Sequence, residues 1–219
     1  MTSFLRGALA AALMAAVQLA TAAPADDFFR AIKQDNAGAV RDLLARGFDP
    51  NTKDERGTPG LYMALQEGSL KVASTLIASA ALRPETRTPQ DESPLMMAAF
   101  KGHLEQVRQL IAKGADVNKP GWTPLHYAST NGHLAVMELL LEEHAFIDAE
   151  SPNGTTPLMM AAGYAPAEAV KLLLDAGADT QMRNKKGMTA LDFAQQYKRP
   201  DAIQLLGNVA RLKGPRGTW

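Results

Sequence analysis

The stretch Gly121–Asp148, GWTPLHYASTNGHLAVMELLLEEHAFID, carries the reading of the fold. Its third and fourth residues are Thr123 and Pro124. A threonine hydroxyl there can accept one of the orphan backbone N–H groups of a first helical turn, and a proline at the first helical position gives up an N–H that had no partner anyway. The helix they start must end near Gly132, which supplies the left-handed residue that a reversal of the chain requires. Beyond it Leu134, Val136, Met137, Leu139, Leu140 and Leu141 form a broad apolar stripe on a second helix. Two short helices cannot cover that stripe between themselves, so the stretch predicts a helix pair that must be stacked against others like it.

Copies are present. GTTPLMMAAGYAPAEAVKLLLDAGAD begins at Gly154 and DESPLMMAAFKGHLEQVRQLIAKGAD at Asp91, with weaker ones from Gly57 and Gly187. DDFFRAIKQDNAGAVRDLLARGFDPN, from Asp26, keeps both helices without the turn motif ahead of them. One alanine of the first helix recurs at Ala31, Ala64, Ala98, Ala128, Ala161 and Ala194, at gaps of 33, 34, 30, 33 and 33. Ser93-Pro94 and Thr156-Pro157 repeat the helix start, and Gly47, Gly114 and Gly177 close second helices.

Thr123-Pro124-Leu125-His126-Tyr127-Ala128 matches T-P-L-H-x-A, and with this period the chain resembles the ankyrin-repeat family from about Asp26 to Leu206. The resemblance implies an all-α ankyrin-repeat solenoid of about six helix-turn-helix units with hairpin fingers, near residues 26–54, 55–87, 88–117, 118–150, 151–183 and 184–210. Departures locate irregularities. The gap of 30 trims the finger before Trp122, Pro59-Gly60 stands where Thr-Pro is expected, and Arg83 to Pro89 makes a longer, stiff finger. Ala165-Pro166 replaces Gly-His, so that turn should differ, and His144 stands where a helix-ending glycine belongs. The terminal units match least well, as capping repeats do, and residues 211–219 read as a frayed tail.

Residues 1–22 read as an export signal: Arg6 is basic, Gly7 through Leu19 is uncharged and rich in Ala and Leu, and Ala20 with Ala22 fits a cleavage site. Cleavage after Ala22 would start the mature chain at Ala23. Gln18 and the weakly apolar alanines argue against a retained span, so no stable membrane anchor is expected. The destination is the periplasm, with secretion beyond it as the alternative. The sequence has no cysteine, which removes disulfides, thiolate chemistry and an acylated cysteine together. Lys plus Arg and Asp plus Glu number 23 each, so no global field gathers nucleic acid.

Little in the chain points to chemistry. His126 is the motif histidine, to which the resemblance assigns a bracing hydrogen bond. His103 and His133 hold the same position in consecutive units, about 10 Å apart, beyond the reach of ligands that share an ion at about 2 Å. G-x-S-x-G, H-E-x-x-H, P-loop and G-x-G-x-x-G patterns are absent from the sequence. No cofactor, no metal and no enzymatic activity are predicted.

What remains is binding. The resemblance implies a concave row of exposed positions, just ahead of each motif and just after its alanine, where a protein partner is held. Carried onto this chain, the candidate contacts are Thr58, Glu67, Phe100, Lys101, Trp122, Asn131, Thr155, Tyr164, Met188 and Tyr197. Aromatics are only 6% of residues, yet four of the ten are aromatic, the type that anchors interfaces. The competing reading has Phe100 and Tyr197 packing on their own units and Trp122 covering the shortened finger. The expected function is a monomeric, non-enzymatic module that binds one protein outside the cytoplasm. The alternatives are a secreted effector that binds a protein of another cell, and an enzyme or metal protein that uses the stack as a scaffold.

Overall fold

A computed structural model describes residues 24–212, so the expected export signal at 1–22 and the tail beyond Leu212 lie outside the described residues. Twelve helices are described, paired in sequence, and they fall into two compact units that divide between Asp91 and Glu92.

In the first unit, α1 (24–33) pairs with α2 (Ala37–Ala45), and α3 (Gly60–Glu67) with α4 (Leu70–Ala78). Phe28, Ile32, Val40, Leu61, Leu65, Val72 and Leu76 make the core. Where Pro59-Gly60 stands in place of Thr-Pro, α3 is capped by Pro59 with no side-chain bond. Gly60 is needed for space: a Cβ there would sit 2.4 Å from Cε1 of Phe28. Ser69 Oγ donates to the Ile32 carbonyl at 2.6 Å and Asp35 Oδ1 accepts from the Val72 N–H at 3.0 Å, so the two pairs are joined by polar bonds as well as by apolar packing. The finger that follows is braced by Arg87, which lies 2.8 Å from Glu85 and 3.1 Å from Asp91.

In the second unit, α5 (Pro94–Lys101) and α6 (Leu104–Ala112) are followed by α7 (Pro124–Asn131) and α8 (Leu134–Glu142), then α9 (Pro157–Tyr164) and α10 (Ala167–Asp175), then α11 (Ala190–Gln196) and α12 (Pro200–Leu212). The first helices α5, α7, α9 and α11 pack side by side in that order, and so do the second helices α6, α8, α10 and α12. Ala98, Ala128, Ala161 and Ala194 are fully buried, which accounts for their period: a methyl group is all that fits where adjacent first helices approach. Leu140, on α8, is completely buried.

Helix starts follow the local chemistry. Ser93, Thr123, Thr156 and Thr189 each accept from the backbone N–H three residues on, and the side chain at that position reaches back to the cap. Gly102 and Gly132 close α5 and α7 at φ 72° and 68°, whereas Ala165 closes α9 in extended backbone, so that turn does differ. His144 occupies the left-handed position with φ 64°. The last helix runs to Leu212, two residues past the expected end of the repeats at 210.

Candidate partner-binding face

Each unit contributes some of the candidate contacts. In the first, Thr58 is half-buried in its finger, where its N–H donates to Asp54 Oδ1 at 2.7 Å and its carbonyl accepts from the Asp54 N–H, while Glu67 is exposed at the end of α3.

The second unit holds the other eight, and six of them line two adjoining recesses along its first helices and fingers. One recess, of about 220 Å³, is walled by Phe100, Trp122, His126, Tyr127, Thr130 and Met160. The other, of about 330 Å³, shares Trp122 and Met160 with it and adds Tyr164, Met188, Phe193 and Tyr197, with Lys185 and Lys186 from the last finger. Trp122 is half-buried, its ring edge-on to His126 at 5.2 Å between centroids. Phe100 is edge-on to Tyr127 at 6.0 Å. Tyr164 and Tyr197 are 42% and 39% exposed, yet their rings are 4.5 Å apart and the Tyr164 hydroxyl donates to the Tyr197 oxygen at 2.5 Å. Loss of water around Tyr164, helped by the neighbouring hydroxyl, pushes its phenol up to about 12, so Tyr164 stays neutral.

The floor is rigid because of His126. It is fully buried, its Nε2 stands 2.8 Å from the Thr155 carbonyl, and its Nδ1 accepts from the Thr123 N–H at 3.2 Å. A carbonyl can only accept, so the proton resides on Nε2. Burial drives its pKa down to about 4 against the backbone bonds that raise it, and the ring is neutral at physiological pH. This is the bracing bond the motif implies, thrown from α7 to the next finger.

That bond also sets the place of one candidate. Thr155 is only 2% exposed, its carbonyl takes His126 and its N–H donates to Ser151 Oγ at 3.0 Å, so it lies at the floor of the larger recess rather than on an exposed row. Lys101 and Asn131 are exposed at helix ends, and Asn131 Nδ2 donates to the Phe100 carbonyl at 2.7 Å; neither lines a recess. Sequence reading overlooked Tyr127, Met160 and Phe193, which hold the one unspecified position of the motif, just before its alanine. The signal was the size of the residue at x: it is large and apolar or aromatic in all three.

Elsewhere in this unit α8 and α10 border an open groove of about 490 Å³ that carries Glu138, Glu142, Glu168 and Asp175 with one lysine, Lys171. Among the described residues, no group of three or more His, Asp or Glu side chains is arranged to hold a metal ion, and no helix is long and apolar enough to cross a membrane.

Stacked helix pairs with capped first helices, crossed by an aromatic-lined face, define a repeat protein of the kind that presents a surface to another macromolecule. The family model described as ankyrin repeats (three copies) matches residues 28–120, 82–151 and 144–212, and the chain belongs to the ankyrin-repeat family. It is thereby a protein–protein interaction module. Among curated relatives, mouse NF-kappa-B inhibitor alpha is 34% identical over 122 residues, which is 56% of this chain and 31% of that protein. Human ankyrin repeat domain-containing protein 39 is 46% identical over 63 residues, 27% of this chain and 34% of its own. The chain thus spans about a third of each of these relatives. Among solved structures, it is similar to a chain from the complex of the predatory endopeptidase Bd0816 of Bdellovibrio bacteriovorus with immunity protein Bd3460. That match has a TM-score of 0.73 and 26% identity, and covers 84% of this chain and 98% of the other.

Proposed function

We propose that this protein acts outside the cytoplasm as a non-enzymatic, monomeric binding module that holds one partner, itself an enzyme, in a stoichiometric complex. The observation that carries the reading is the pair of aromatic recesses meeting at Trp122, with two tyrosines left exposed beside them on a chain otherwise poor in aromatics. Rigid aromatic side chains on a braced floor lose little entropy when they are covered, which favours them as interface anchors. Likeness to a chain from an endopeptidase–immunity complex supports a partner that is an enzyme, and the leader-like residues 1–22 support an address beyond the inner membrane.

Two measurements test this. A fusion of residues 1–25 should be recovered from the periplasm with its N-terminus at Ala23, and protein that begins at Met1 would refute export. A photo-reactive side chain at Tyr164 should cross-link a single periplasmic protein, which then serves as the ligand. Trp122→Ala should weaken that complex by about 2 kcal/mol or more with helix content unchanged. If the same change instead lowers unfolding free energy and leaves affinity intact, Trp122 is a plug for the shortened finger and the face is misassigned. Recovery of the protein in the medium would favour the secreted effector.

A further inference from the structure

The larger recess carries charge of one sign beside its apolar and neutral polar lining. Trp122, Met160, Tyr164, Met188, Phe193 and Tyr197 supply apolar surface, Lys185 and Lys186 supply positive charge, and among the described residues that line it there is no carboxylate. Both lysines are exposed on the finger before α11. That finger is fixed: the Lys185 N–H donates to the Asn153 carbonyl at 2.9 Å, and Asn184 Oδ1 accepts from the N–H groups of Lys186 at 2.9 Å and Met188 at 3.0 Å. The two ammonium groups are therefore carried on a stationary loop at the edge of an apolar hollow.

The same bonds decide how an occupant is read. The carbonyls of Asn153, Thr155 and Met188 are already bonded within or between the fingers, to the N–H groups of Lys185, Ser151 and Asn184. An incoming chain gains little by adding a strand here, so side chains must carry recognition. Nor does the hollow suit the other common anions. Two lysines neutralise only a couple of phosphates, too few to hold a nucleic acid at physiological salt. The Tyr164 hydroxyl donates to Tyr197, which removes one phenol donor that a sugar would use. Two methionines, Met160 and Met188, adapt to an apolar side chain of any shape.

We propose that this recess takes an acidic peptide segment of the partner, one bulky apolar side chain seated among Trp122, Met160 and the tyrosines with a neighbouring carboxylate against Lys185 and Lys186. The inference rests on the binding face argued above and adds the chemistry of what fills it. Charge placed at the rim of an apolar anchor fixes orientation and speeds encounter, while the anchor supplies most of the affinity.

The test is selection of a random dodecapeptide display library on the mature chain, on Lys185→Glu/Lys186→Glu and on Trp122→Ala. The wild type should enrich peptides with Asp or Glu beside an aromatic or large aliphatic residue. The charge-reversed variant should lose about tenfold or more of its affinity for those peptides and enrich Lys or Arg in the same place. Equal selection by wild type and charge-reversed variant, failure to enrich any motif, or displacement of the peptides by an acidic oligosaccharide at lower concentration would each overturn the proposal. Trp122→Ala separates its failure from that of the face: loss of enrichment there with charge indifference leaves the face standing, while enrichment unaffected by Trp122→Ala removes both.

Discussion

His126 shows how much one side chain can join. Its ring links the start of its own helix to the next finger, with both nitrogens committed only while it is neutral. The pKa is about 4 when folded against an ordinary value of 6.5, so between these values the unfolded chain binds the proton and the folded chain does not. Stability is therefore fully present above 6.5 and declines as pH falls toward 4, by about 3 kcal/mol at about 1.4 kcal/mol per pH unit. Urea titrations at neutral and mildly acid pH should show that decline. In His126→Gln, which keeps a donor for the Thr155 carbonyl but does not titrate, the baseline should be lower and the slope flatter. An unchanged slope would place the proton uptake elsewhere.

At the scale of the element, the first helices share one design with variable parts. Hydroxyl caps sit at Ser93, Thr123, Thr156 and Thr189, and the side chain reaching back is Met96, His126, Met159 or Asp192. In the last of these the carboxylate accepts from both the N–H and the hydroxyl of Thr189, which holds Asp192 below its ordinary range. Thr123→Ala should cost about 1 kcal/mol, the usual value of a cap. Leu140→Ala opens a hole in the core of the stack and should cost about 2–5 kcal/mol. Denaturant titration would contradict the packing if the order of these two were reversed. Caps, turns and the buried alanines were legible in the sequence because each depends on groups three or four residues apart, or on a strict period. The burial of Thr155 was not legible, because the ring that bonds its carbonyl lies 29 residues away. Tyr127, Met160 and Phe193 went unseen for a related reason: which x residues share a hollow depends on how neighbouring repeats stack, and no local rule states it.

Taken whole, the chain has equal numbers of acidic and basic residues, yet the charges of the second unit are sorted. Carboxylates gather along α8 and α10, and lysines stand at the aromatic recess. A formal balance of zero thus still leaves a local field for steering a partner. Connectivity is sorted too: in this unit every substantial helix–helix contact lies within a pair or between successive pairs. Such an arrangement has no keystone. Pulled by its ends in an optical trap, residues 92–212 should unpeel pair by pair, each step of about 33 residues releasing about 110 Å of chain. A single rupture of full length would contradict this. The sawtooth would make the molecule a soft mechanical element, one that lengthens under load by yielding a turn of the stack at a time and shortens again when the tension drops.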